Sequence, residues 1–160
     1  EAGDAEAQFQ LGQMYALGHG FKQNFKTAAE WYEKAAALED DWAMCRLGGL
    51  YYEGGGVPEN PVLGAEWYRK SAELGNSEAM YYLAECYEYG TGVEENDAEA
   101  RKWYRKAADE GYAPAQREIG AYYADKEKYK ETFENNLILF IIISVIYFHH
   151  LIRPPFYIHP

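Results

Sequence analysis

The sequence predicts an all-α fold, a right-handed α-solenoid of antiparallel helix hairpins with a 36-residue period. Three observations carry that prediction. Leu11, Leu47, Leu83 and Ile119 fall in register, as do Tyr15, Tyr51, Tyr87 and Tyr123. Ala7, Ala43, Ala79 and Ala115 keep the same spacing, and so do the pairs Trp31-Tyr32, Trp67-Tyr68 and Trp103-Tyr104. Between these columns a glycine turn returns in each unit. A repeat of this length is one supersecondary element that cannot bury its apolar face alone and stacks on its neighbours. Function is then expected on a surface.

In the first helix of each unit, helix A, Ala7, Leu11 and Tyr15 recur at four-residue spacing and form one stripe. Gly12, Gly48 and Gly120 lie beside it, where a neighbouring backbone is expected to approach. Helix A ends at Gly18-His19-Gly20, Gly54-Gly55-Gly56 and Gly90-Thr91-Gly92, whose first glycine can take positive φ and close the helix. Helix B opens at Asn24, Asn60 and Asn96, each a side-chain cap, with Pro61 at the favoured first helical position. Its inward stripe reads Ala28, Tyr32 and Ala35, then Gly64, Tyr68 and Ser71, then Ala100, Tyr104 and Ala107. Glu30 with Lys34 and Glu66 with Lys70 are placed for exposed i,i+4 ion pairs. Gly75 and Gly111 end helix B, and Asp4, Asp40 and Asn76 cap the next helix A; Glu39 and Tyr112 depart from this punctuation.

The expected organisation is a repeat solenoid over residues 1–124, with units 5–40, 41–76 and 77–112 and a partial unit 113–124. In the partial unit Lys126 and Lys128 stand where the turn glycines would be, and no Trp-Tyr pair follows. Ala2-Gly3-Asp4 matches Leu74-Gly75-Asn76, so the start reads as a cut edge with a further repeat upstream. Residues 125–160 are of another composition, with an almost wholly apolar stretch at 137–148. Twelve residues fall short of the roughly 20 that a helix needs to cross a bilayer. Capping of the solenoid end and translation beyond the true frame are the favoured readings of this segment. A membrane contact would come only through 137–152.

All 26 acidic residues and 14 of the 15 basic ones precede residue 135, a net charge of −12 over that segment. Nucleic acid would be repelled, whereas basic or neutral partners are favoured. Cys45 and Cys86 sit in different columns and form no disulfide framework; Cys86 reads as a core residue and Cys45 as a partly exposed thiol.

Leu11-Gly12 with Tyr15, Gly54-x-Gly56-Val57, Ala65-x-Trp67-Tyr68 and Lys70-x-Ala72 closely resemble the Sel-one-like repeat, a relative of the tetratricopeptide repeat with a longer inter-helix loop. The resemblance covers residues 1 to about 124. It implies a tetratricopeptide-like solenoid and a non-catalytic adaptor that assembles protein complexes. Ala84 in place of Gly and Arg101 in place of Ala depart from the pattern.

Chemical signals are weak. Gly90-Thr91-Gly92 reads as a turn and not a phosphate loop, since no strand precedes it and no lysine sits inside it. Adjacent His149 and His150 point about 100° apart on a helix and do not chelate one metal easily. His19 is alone in a loop. No catalytic constellation, metal set or cofactor motif emerges.

The distinctive surface lies on helix A, opposite the repeated stripe, where rings mix with carboxylates and vary between units. Phe9, Gln13, Trp42, Arg46, Tyr52, Tyr81, Tyr82, Glu85, Glu88 and Tyr89 are the candidate partner-binding residues. Lining the concave side, they suit a basic-hydrophobic protein or peptide segment. The competing reading is that several of these rings fill seams between hairpins. A structural spacer, a membrane-anchored quality-control adaptor and, more remotely, a groove-located hydrolase are the alternative functions.

Overall fold

The computed structural model describes the backbone of residues 3–152 and the side chains of residues 3–145. Among these residues there are seven α-helices and no strand: α1 (Ala5–Leu17), α2 (Phe25–Ala36), α3 (Asp41–Glu53), α4 (Pro61–Glu73), α5 (Ser77–Tyr89), α6 (Asp97–Asp109) and α7 (Ala113–Ile152). The odd-numbered helices α1, α3 and α5 open the three hairpins, and α2, α4 and α6 complete them. The chain divides into two compact units, Glu1–Ile119 and Gly120–Pro160. Ala2, the side chains of His149 and His150, and residues 153–160 lie outside the described residues.

Helix boundaries follow the polar punctuation. Asp4, Asp40 and Asn76 each accept from the backbone N–H three residues ahead and start α1, α3 and α5. Asn24, Asn60 and Asn96 do the same for α2, α4 and α6. These bonds occupy donors that a helix start leaves without a partner. The first helices end on Gly18, Gly54 and Gly90 at φ 74, 72 and 64°, the left-handed region that a side chain disfavours. Each loop is then closed by its capping asparagine, whose backbone N–H donates to the carbonyl of Tyr15, Tyr51 or Tyr87 at 2.8 to 2.9 Å. Glu39, the departure noted in the sequence, takes φ 64° where the later units have Gly75 and Gly111.

Stacking of one hairpin on the next depends on the second turn glycine. A Cβ on Gly56 would lie 2.5 Å from the backbone of Phe25 and Lys26, and one on Gly92 would overlap the Pro61 carbonyl. Each turn therefore rests directly on the start of the preceding unit's second helix.

The core is built from the two stripes. Ala43, Leu47, Ala79 and Leu83 have no exposure, and every member of the three helix B stripes is buried. In α1, whose main packing partner is α2, Ala7 is exposed and Leu11 only half-buried. Ala115, at the start of α7, is fully buried in the core of the first unit, and Ile119 packs against it.

Three expectations need correction. At Gly12 a ring approaches, and at Gly48 a ring as well as a backbone: a Cβ on Gly12 or Gly48 would lie 2.5 Å from Tyr32 or Tyr68. Backbone contact occurs on the facing helix, at Gly64, whose Cβ would be 3.0 Å from the Gly48 carbonyl, and nothing lies near Gly120. Cys45 is not a partly exposed thiol but 2% exposed, because its column faces the seam occupied by Tyr68 and the next hairpin. Burial pushes its thiol up to about 12, and that of Cys86 likewise, so both are un-ionised at neutral pH. Finally, Lys34 and Lys70 leave Glu30 and Glu66 and lie over the rings of Trp31 and Trp67, 3.7 and 4.2 Å from the centroids. Lys106 does the same over Trp103 at 4.1 Å. On a helix an i,i+3 indole offers the lysine both an apolar surface for its stem and a negative ring face.

In the second unit α7 continues through Lys126 and Lys128 without a turn. The large apolar side chains from Leu137 to Val145 are exposed all round the helix. No helix among the described residues is long and apolar enough to cross a membrane.

Candidate functional site

The nominated residues of α1, α3 and α5 fall into three environments. Phe9, Tyr81 and Tyr82 pack against other rings. Phe9 is 6% exposed and packs 5.8 Å, centroid to centroid, from Tyr32. Tyr82 stacks on Tyr68 at 5.2 Å, and Tyr81 meets Tyr104 and Tyr112 at 5.4 Å each. These separations are those of attractive aromatic pairs; Phe9 and Tyr81 meet rings of their own hairpins, and Tyr82 meets a ring of the preceding one.

Arg46, Glu85 and Glu88 are half-buried and engaged. Arg46 on α3 donates from both terminal nitrogens to the two oxygens of Glu78 on α5, at 2.9 and 3.1 Å. Its guanidinium is thereby committed to a planar two-bond pair. The Tyr104 hydroxyl donates to Glu88 at 2.6 Å. Glu85 is held above the usual carboxylate range by burial, against a hydrogen bond from Tyr81 that lowers it and with Glu88 and Glu118 raising it further. Burial first, and the Glu88 bond second, push the Tyr104 phenol well up.

Trp42 and Tyr89 remain open, 45% and 67% exposed, with Gln13 and Tyr52 half-buried. The Trp42 ring lies 5.9 Å from the Arg46 guanidinium.

The structure adds a feature absent from that set, a cleft of about 250 Å³ over α3. Tyr32, Tyr68, Cys45, Gly49, Arg46, Glu53 and Tyr82 are among the residues that line it. Its origin is visible in the columns. Position 45 holds Cys where α1 and α5 hold Phe9 and Tyr81, and position 49 holds Gly where they hold Gln13 and Glu85. Two missing side chains in one helix leave the space. That signal was present in the sequence, but attention to large and charged residues passes over small ones. Among the described residues no group of three or more His, Cys, Asp or Glu could hold a metal ion. Gly90-Thr91-Gly92 is the connection between α5 and α6, its Thr91 N–H bonded to the Cys86 carbonyl at 3.0 Å.

A family model described as the Sel1 repeat matches residues 5–40, 43–76 and 77–112. Among solved structures, a protective antigen of uropathogenic Escherichia coli strains displaying an SLR fold is similar at 33% identity and TM-score 0.73 over 76% of this chain and 26% of its own. A Sel1 repeat protein from Oxalobacter formigenes is similar at 36% identity and TM-score 0.71, over 75% of this chain and 49% of its own. Cysteine rich protein B of Helicobacter pylori shares the fold at 24% identity and TM-score 0.60, over 69% of this chain and 86% of its own. The chain thus spans about a quarter and about half the length of the first two. No curated protein matches it.

Proposed function

This chain belongs to the Sel1 repeat family, whose members are generally protein–protein interaction scaffolds, and we propose that it binds a basic-hydrophobic segment of a partner protein on the exposed face of α1, α3 and α5. The observation that carries this reading is the exposure of Trp42 and Tyr89, 45% and 67%, at positions of the first helices that lie off the repeated core stripe. Tyr89, held open beside Glu88 and Glu85, combines an apolar contact with a negative field, the combination that recognises a segment carrying Lys or Arg beside apolar groups, and Trp42 adds a second open ring on α3. The net charge of −12 before residue 135 acts in the same direction over longer range. Repeat helices supply a rigid frame and need no chemistry of their own, so the proposed role is non-catalytic.

The test is affinity capture with the full chain beside a Trp42→Ala, Tyr89→Ala double variant. Both side chains are exposed, so the variant keeps its helicity. A protein retained by the wild type, released by salt and lost by the variant supports the reading. The same proteins retained by both remove it. The packing of Phe9, Tyr81 and Tyr82 against other rings favours the alternative of a structural spacer, under which the double variant behaves as the wild type in every respect.

A further inference from the structure

We propose that the cleft over α3 is a specificity pocket for a single lysine side chain of the partner, an inference that rests on the binding face proposed above and locates its anchor. The argument begins with volume. Hairpins that share one backbone frame should leave similar surfaces wherever their columns carry similar residues. In α3 the columns do not: Cys45 and Gly49 replace a ring and a long polar chain present on both sides. The resulting space, about 250 Å³, admits one long side chain and not a folded segment. Gly49 is the critical position, since a Cβ built there meets only the Tyr68 hydroxyl, at 3.5 Å, and has room to extend. In an α-helix a glycine costs about 1 kcal/mol relative to alanine, so an open space kept by a mid-helix glycine is kept against local propensity.

The chemistry of the walls selects the occupant. Tyr32 and Tyr68 line the cleft with the small part of each ring left accessible, 2% and 5%, which an aliphatic stem can cover while the ring attracts a cation carried at its end. Glu53 stands at the border and is exposed, so it can meet an ammonium group without first losing its water. The cation bordering the cleft is Arg46, and both its terminal nitrogens are bonded to Glu78 at 2.9 and 3.1 Å. An incoming carboxylate would have to break that pair while facing Glu53 and Glu78. An incoming lysine meets no such obstacle.

The experiment uses the full chain, labelled for amide NMR, and three blocked tripeptides, acetyl-Gly-X-Gly-amide with X lysine, norleucine or glutamate. Norleucine keeps the stem without the charge. The lysine peptide should give saturable shifts centred on Gly49, Leu50 and Glu53, with the norleucine peptide about threefold or more weaker, the lower end of the range for a cation beside a ring. Glu53→Gln should reduce lysine to the norleucine level. Gly49→Gln, which installs the residue that α1 carries at the same position, should abolish binding of all three while thermal stability and helicity stay within range of the wild type. Absence of saturable shifts in the wild type overturns the proposal, as does preference for the glutamate peptide or undiminished lysine binding by Gly49→Gln. Should Gly49→Gln lose its fold, the Glu53→Gln comparison decides alone. The two readings separate in the capture experiment. A partner lost by Trp42→Ala, Tyr89→Ala but retained by Gly49→Gln leaves the face standing and removes the pocket. One retained by both variants removes the face itself.

Discussion

In α3 the side chains at positions 45 and 49 are a thiol and a hydrogen; at the equivalent positions of α5, 81 and 85, they are a phenol ring and a carboxylate. The frame around them is the same. Both helices have thirteen residues, both start on a side-chain cap three residues before the bonded N–H, and both end on a left-handed glycine. Both bury an alanine and a leucine completely, at 43 and 47 and at 79 and 83. Yet α3 is left with a cleft, whereas α5 is filled by Tyr81 packed against Tyr82, Tyr104 and Tyr112. The difference teaches that in this stack the repeated columns hold the backbone and the variable columns decide where there is room. A second difference lies beside the first. Gly48 accepts the ring of Tyr68 at a distance no Cβ would tolerate, while α5 carries Ala84 in that column and Tyr104 leans instead toward Glu88.

The comparison breaks most completely in alkali, where both helices should fail together. Cys45 and Cys86 ionise at about 12 in the fold against an ordinary 9.0, and Tyr82 at about 12 against 10.0, in each case chiefly because burial disfavours the charged form. A group whose folded pKa is raised gives its full stability below the unfolded value and loses it as pH rises toward the folded one. Thermal melts followed by circular dichroism, with reductant present, should therefore be level to pH 9 and fall steadily between 9 and 12. A Tm unchanged at pH 12 would contradict the burial of these groups.

Next in size is the shared core. Leu47→Ala and Leu83→Ala should each cost about 2 to 5 kcal/mol in denaturant unfolding, since each empties a fully enclosed site. Leu11→Ala, half-buried, should cost less than either. Equal losses at all three positions would deny that α1 has a more open flank. The glycine column should then separate α3 from α5. Gly48→Ala forces the Tyr68 ring, itself stacked on Tyr82, to move and should cost about 1 to 3 kcal/mol. Ala84→Gly in α5 should cost about 1 to 2 kcal/mol, the helix-propensity difference plus the loss of a buried methyl, with no ring forced to move.

Two polar contacts give the smallest effects. Tyr104→Phe removes the hydroxyl that Glu88 accepts at 2.6 Å and should cost about 1 kcal/mol. Tyr68→Phe should cost less, because the residue in the Glu88 column is there Tyr52. Arg46→Gln opens the pair linking α3 to α5, whose arginine side chain is 37% exposed, and should cost about 1 kcal/mol at most, falling with added salt. A loss that salt does not reduce would mean that Arg46 acts through packing on Trp42.

Much of this was legible in one dimension. Asn24, Asn60 and Asn96 announced helix starts, and Gly18, Gly54 and Gly90 helix ends, because capping and positive φ are local requirements met within four residues. The burial of Tyr32, Tyr68 and Tyr104 followed from a stripe repeated three times. What failed was partner choice. Lys34 and Lys70 had a carboxylate and an indole within one helical turn, and spacing alone does not say which competes better. The burial of Cys45 is not legible in its column, which otherwise holds Phe9, Tyr81 and Arg117, because it depends on the facing ring of Tyr68.

The sequence by itself determined the all-helical hairpins, their caps and turns, the repeated core stripes and the acidic charge, since each depends on residues near in the chain or on a periodicity that the chain writes out. Tertiary structure alone decided which rings of α1, α3 and α5 are open, that Arg46 is committed to Glu78, and that the space over α3 exists. Those outcomes depend on side chains from three hairpins meeting at one place. A void is the absence of a contact between residues far apart in sequence, so no single residue encodes it.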